Sequence, residues 1–375
     1  MNSSGVAYDW TSLTGLASIA LALASVVLMA AWWRGSLRHR HPAQRHAALA
    51  ALALFLCFDL VVFGAFTRLS DSGLGCPDWP GCYATSSPVA AAPHIAAAEA
   101  AAPAGPVTER KAWIEMIHRY FAMALGVLVI LLLASAVAAR RERPRAWWWA
   151  LLTLGWIVLQ GVFGALTVTW KLYPAVVTGH LLGGMGLLAL LALQVSPRAA
   201  AAGPGLARRD RVALGLAALA LLAQLALGGW VSTNYAVLAC TGFPECNGRW
   251  WPAMNWSEGF TLLRELGRRA DGQFISMAAL VAIQWTHRLF ALVVVLAVGW
   301  LVARLWHHGP VARRRALLIA GLVLLQLATG LSNVVLGWPM SAALAHTAGA
   351  AALVVCLGRE AAIALQSRQR RSFPS

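Results

Sequence analysis

The 375-residue chain is 59% hydrophobic, has 12% charged residues and a mean hydropathy of +0.66. Soluble domains carry about 25% charged residues, so these values exclude a water-soluble globular fold. The net charge of +16 would suit a nucleic-acid binder, but the arginines cluster at 34–45, 140–145, 198–211, 304–315 and 359–371, where apolar runs end. That is the positive-inside pattern of a polytopic membrane protein facing anionic lipid, which excludes the nucleic-acid reading.

The apolar runs predict nine transmembrane helices, each near the ~20 residues that a bilayer requires. They cover about residues 12–33, 47–67, 115–139, 147–169, 174–195, 211–231, 281–304, 315–336 and 341–365. The first lacks a basic segment before it, so it reads as a span and not as a cleaved signal peptide. Alternation of basic connections puts the N-terminus outside and the C-terminus in the cytoplasm, in a bacterial inner membrane. Between the second and third spans, residues 68–113 form an external loop that opens with RLSDSGLGCPDWPGC. Its Ala/Pro-rich tract, about 84–106, reads as low-complexity and mobile. A second external loop, about 232–280, contains GFTLLRELGRR. At helical spacing Phe260, Leu262, Leu263 and Leu266 oppose Arg264 and Arg268, which predicts a short helix on the membrane surface or in solvent. Trp147–Trp149, Trp250, Trp251, Trp306 and Trp338 fall where spans meet the interface, the preferred depth of indole rings. Asp59 is an acid deep within a span and carries no assignment.

The chain repeats internally. Cys76 and Cys240 are 164 residues apart, His118 and His287 169, and His180 and His346 166. Gly64-Ala65 matches Gly228-Gly229, and Leu159-Gln160 matches Leu325-Gln326. The predicted fold is therefore an all-α polytopic membrane protein of two tandem four-helix bundles, related by a pseudo-twofold along the membrane normal. Residues 1–46 add an N-terminal helix and basic loop, 47–198 form the first bundle, and 199–375 form the second bundle with a basic tail.

In each half one histidine opens the second span of the bundle and another lies near the start of the fourth. Histidine inside a membrane is costly and marks function by default. Here four share one register and depth. Two imidazoles facing across a four-helix bundle make a cage for noncovalently held heme. GHLLGG and HTAGAA put small residues beside His180 and His346, leaving room for a flat macrocycle. Copper or zinc ligation fits less well, because no thiolate or carboxylate set accompanies all four histidines. Without CxxCH, covalent heme attachment is excluded. Arg119 and Arg288 have two readings, propionate binding or snorkelling to the interface. Glu115 and neutral Gln284 each stand three residues before a histidine, on its helical face. Only Glu115 ionises, so the first half reads as a reactive pocket and the second as a redox pocket, unless Glu115 merely answers the helix dipole.

Cys57 and Cys356 read as packing residues. Cys76/Cys82 and Cys240/Cys246 each close a loop compatible with a disulfide on the oxidising side of the membrane. Stapling is the first reading for Cys240/Cys246, whereas Cys76/Cys82 reads either as a staple or as a pair exchanging with an external thiol carrier.

GAFTRLSDSGLGCPDWPGC, ExxHR at Glu115–Arg119, GH at Gly179-His180, QxTHR at Gln284–Arg288 and AH at Ala345-His346 resemble the heme A synthase family over about residues 47–365. The resemblance implies oxidation of the C8 methyl of heme O to a formyl group, giving heme A for terminal oxidases. It implies substrate heme between His118 and His180 with Glu115 catalytic, and a heme b cofactor on His287 and His346. It further implies a heme O synthase upstream and an electron acceptor, with homo-oligomer formation left open. The alternative from the residues alone is a bis-heme b-type electron carrier linked to quinol. A transporter of heme or solute built from tandem repeats is the third.

Overall fold

The computed structural model describes residues 10–35, 37–38, 41–195, 207–269 and 271–372. Residues 1–9, with Arg40 and Arg198 of the basic clusters, lie outside the described residues. Eleven helices form: α1 (Trp10–Trp33), α2 (Pro42–Leu69), α3 (Ala92–Ala101), α4 (Glu109–Ala138), α5 (Ala146–Thr169), α6 (Pro174–Gln194), α7 (Arg208–Thr233), α8 (Trp256–Gly259), α9 (Met277–Trp306), α10 (Pro310–Val335) and α11 (Met340–Ser372). Among the described residues, nine are long and apolar enough to cross a membrane.

Several helices start earlier than their apolar runs, because helical hydrogen bonding continues into the polar interface. Proline begins α2, α6 and α10, where its missing N–H leaves no bond unmade. The Thr108 side chain accepts from Lys111 N–H and that of Ser276 from Ala279 N–H, capping α4 and α9. Glu115 and His118 thus lie about 1.7 and 2.5 turns inside α4, and Gln284 and His287 at comparable depth inside α9.

Helix α2 packs on α4, α4 on α5, α5 on α6, and α6 back on α2; α7, α9, α10 and α11 close in the same order. The two sets meet through α6 with α11, α6 with α7, and α2 with α11. Their shared core includes Leu125, Leu128, Leu188 and Leu191 from the first set with Leu301, Leu305 and Leu353 from the second. Two contacts join residues to their own repeat counterparts. At one end Arg68 Nη2 donates to Ser232 O at 2.9 Å, 164 positions along the chain. At the other, a Cβ on Gly358 would stand 3.0 Å from Cβ of Ala192, 166 positions earlier. Asp59 lies on the exposed side of α2.

Two expectations are corrected. The Ala/Pro-rich tract contains α3 and is anchored: Ala91 and Ile95 are buried with Leu16 of α1, Cys76, Cys82, Met116 and Tyr120. Helix α1 packs on α4, and Tyr120 donates from its hydroxyl to Ser86 O at 2.7 Å. Apolar surface supplied from a distant segment orders a tract whose own composition lacks large side chains. In the second loop, one turn of helix (α8) replaces the predicted amphipathic helix. Leu262 and Leu263 are exposed, while Arg264 is buried beneath them. Arg264 donates to Asn234 Oδ1 and lies 5.7 Å from the Trp230 ring, so one polar partner overrides the helical pattern.

Close approach of α6 and α11 requires Gly358. A Gly358→Leu change should destabilise the protein by about 1–3 kcal/mol through overpacking, read as a lower unfolding midpoint in detergent. Gly126→Leu, where a Cβ meets nothing within 4 Å, should leave that midpoint unchanged.

Candidate functional site

The four histidines sit in helices α4, α6, α9 and α11, one to each, and all four are half-buried. His118 and His180 lie within electrostatic range of each other, and so do His287 and His346. Each half thus brings its own two histidines near one another.

Each imidazole rests against a glycine of a neighbouring helix, a feature the sequence reading missed. A Cβ on Gly64 would stand 3.2 Å from His118 Nε2, and one on Gly164 3.6 Å from His180 Cε1. In the second half, Gly228 would meet His287 Cε1 at 3.0 Å and Gly330 would meet His346 Cε1 at 3.3 Å. Gly64 and Gly228 are 164 apart and Gly164 and Gly330 166 apart, so the glycines obey the same repeat as the histidines. That register was the signal available in the sequence. The small residues after His180 and His346 do not leave open space alone. The amide of Gln160 occupies the space where Gly183 would carry a Cβ, and Gln326 does so at Gly349. The Gln326 amide also donates to His346 O at 3.0 Å, and that of Gln224 to His287 O at 3.1 Å.

Ring orientation is partly fixed. Thr329 Oγ1 lies 2.9 Å from His346 Nδ1, which leaves Nε2 as the free ring nitrogen. His180 Nδ1 and His287 Nδ1 are buried without a hydrogen-bond partner. Among the described residues no group of three or more His, Cys, Asp or Glu could hold a metal ion; the histidines come as pairs. One buried, unanswered imidazole nitrogen in each pair, with glycine backing, is a donor set that would suit a heme iron.

Both cysteine pairs are disulfides, Cys76–Cys82 and Cys240–Cys246. Each closes a loop held by the arginine that follows a histidine. Arg119 Nη1 donates to Asp78 O at 2.9 Å, Pro80 O at 3.3 Å and Gly81 O. Arg288 donates to Gly242 O at 3.0 Å, Glu245 O at 3.4 Å and Cys240 O. Both arginines thus hold the loop backbone. Three backbone carbonyls converge on each guanidinium, whose planar fork of donors matches them.

Glu115 differs from Gln284 in its contacts as well as its charge. Its Oε2 accepts Cys76 N–H at 2.8 Å and its Oε1 pairs with Arg119 Nη2 at 2.5 Å, with the residue only 4% exposed. Gln284 Oε1 has no partner. The only carboxylate on the His118 turn is thus tied both to the disulfide and to the arginine beneath the loop.

Fold and site together define a polytopic helical membrane protein with duplicated histidine pairs under disulfide-closed loops. The chain belongs to the family described as cytochrome oxidase assembly protein, which matches residues 47–357. It is 37% identical to the heme A synthase of Shewanella oneidensis over 319 residues, 82% of this chain and 93% of that one. It is 27% identical to the heme A synthase of Halalkalibacterium halodurans over 80% of this chain and 92% of that one. For the heme A synthase of Methylobacterium nodulans the identity is 28%, over 84% and 90%.

The second loop has one further anchor. Glu258 accepts Ser276 N–H at 2.6 Å and Ser276 Oγ–H at 2.8 Å, joining α8 to the start of α9. The Ser276 backbone bond holds its carboxyl below the ordinary value of 4.5. A depressed carboxyl contributes stability above its unfolded value and loses it as pH falls through the folded one. Amide protection factors at 256–269 and 271–276, exchange rates corrected for their intrinsic pH dependence, should therefore stay high above pH ~4.5 and fall below it. Glu258→Gln should remove that pH dependence.

Proposed function

We propose that the chain is a heme A synthase, an oxidoreductase that converts the C8 methyl of heme O to a formyl group and so supplies heme A to terminal oxidases. The observation that carries this reading is the asymmetry of two matched histidine sites, of which only one keeps a carboxylate on the histidine turn. The first bundle, 47–198, takes the substrate between His118 and His180. The second, 199–375, takes heme b as cofactor on His287 and His346. When bound there, heme b supplies one-electron redox chemistry.

The chain's own residues bind, orient and handle protons. His118 and His180 fix the substrate through its iron, and Gly64 and Gly164 let those rings close against α2 and α5. Oxidation of a methyl group releases protons and builds positive charge at carbon. Glu115, one turn from His118, is the carboxylate able to take a proton at Oε1 or to stabilise that charge. Gln284 lacks this capacity, which leaves the second site to electron transfer. Arg119 and Arg288 act as positioning residues, keeping the disulfide loops over the sites. The arginine clusters support a bacterial inner membrane location with the N-terminus outside and the C-terminus cytoplasmic. Heme O, a heme O synthase, membrane lipid, an electron acceptor and a second copy of the chain are the partners this reading includes.

Glu115→Gln should retain bound heme while lowering heme A yield at least about tenfold, with heme O or its hydroxylated intermediate accumulating; normal heme A yield would refute the role. The glycines test the division of labour. Gly228→Val should strip the resident heme b spectrum, whereas Gly64→Val should preserve it and abolish heme A formation. The reverse pattern would exchange the two sites.

A further inference from the structure

A cleft of about 400 Å³ lies at the boundary between the two halves, lined by Ser70, Ser72, Thr108, Arg110, Lys111 and Met340. Its lining carries two cations and three hydroxyls, and Asp71 pairs with Lys111 beside it. Lys111 is seven residues before His118 on α4, and Ser70 caps α2 six residues after Gly64, which backs the same histidine. At 1.5 Å per residue the cleft stands roughly 10 Å along both helices from His118. Seven residues are close to two full turns, so Lys111 shares the helix face of His118. Arg110 is exposed. Lys111 Nζ bonds only groups at the rim, the exposed Asp71 Oδ2 at 3.2 Å and Gly105 O at 3.3 Å.

The repeat supplies a comparison within the same molecule. Offsets of 164, 169 and 166 carry Ser70 to Asn234, Ser72 to Ala236, Lys111 to Leu280 and Met340 to Pro174. None of these counterparts is a cation. There the positive charge comes from the second loop: Arg264 bonds Asn234 Oδ1 and Arg268 O and is 3% exposed, with Nε buried and unpartnered. One half therefore has an open cationic cleft beside its histidines. In the other, Arg264 is sealed under a loop, and Arg68 from the first half lies over the Tyr235 ring at 3.8 Å and bonds Ser232 O.

The geometry points to the cleft of Ser70, Ser72, Thr108, Arg110 and Lys111 as the subsite for the carboxylates of an exchanging porphyrin, the propionates of the substrate heme. This rests on the reading that the first half takes the substrate. A ligand that enters and leaves needs an open anion site, whereas a resident one tolerates a closed site. Arg119, engaged by three loop carbonyls, leaves the propionates to these residues. The Lys111 ammonium and the exposed Arg110 guanidinium suit carboxylate oxygens; the Ser70 and Ser72 hydroxyls are engaged with Phe66 O and with each other and shape the wall.

The test is equilibrium titration of full-length protein in lipid nanodiscs with heme O and with its dimethyl ester, whose propionates are uncharged. In the parent protein the ester should bind about tenfold more weakly than heme O. In Arg110→Gln/Lys111→Gln, heme O should weaken about tenfold and match the ester, and Lys111→Arg should keep the discrimination. Unchanged heme O affinity in the double variant, or an ester penalty that persists there, overturns the proposal. A defect that appears in phosphatidylglycerol discs and vanishes in phosphatidylcholine discs would assign the cleft to a lipid phosphate and also overturn it. The heme b spectrum of the variant reports an intact fold. His118→Ala/His180→Ala separates the two readings: heme O binding that survives it refutes the first half as substrate site, whatever the cleft does.

Discussion

Arg119 and Arg288 each follow a histidine directly, and each spends its guanidinium on the carbonyls of a loop closed by two cysteines six positions apart. That interaction constrains much else. A charged group this near the hydrocarbon must be answered by protein dipoles, and backbone carbonyls of a tight loop present several at once. Because the arginine and histidine share a helix turn, placing the loop also places the imidazole. The disulfide, the loop, the arginine and the histidine form one unit, built twice.

The duplicated units diverge in what stands beside them. Glu115 adds a carboxylate that bonds both the loop backbone and Arg119, so the first site has an ionisable group tied to its loop. The second site has an amide and an additional hydrogen-bond frame, with Thr329 on His346 and Gln224 on the His287 carbonyl. More fixed partners suit a cofactor that stays, whereas a titratable neighbour suits chemistry. Differences in loop anchoring follow the same division, with α1 and α3 sealing the first loop and Glu258 and Arg264 tying down the second.

Much of this was legible in the sequence because membrane proteins write their architecture in composition. Apolar runs fix the spans, and histidines, being costly in lipid, stand out where they occur. Spacings of 164, 166 and 169 exposed the repeat before any contact was known. What escaped depends on crossings between distant helices. Gly64, Gly164, Gly228 and Gly330 are ordinary helix glycines until the neighbouring helix brings a ring against them. Gln160 and Gln326 were visible as repeat markers but not as groups packed over Gly183 and Gly349. Arg264 was placed on the polar side of a surface helix, since local periodicity holds no trace of Asn234 thirty residues away. The Ala/Pro tract misled for the same reason: its order is lent by α1.

The central claim is that one site transforms its heme and the other keeps its own. Mass analysis of hemes extracted from the protein, produced with and without a supply of heme O, tests it most directly. The account predicts heme b alone without heme O, and heme b together with heme A when heme O is provided. Heme b alone under both conditions would contradict it and leave an electron carrier with two inert sites.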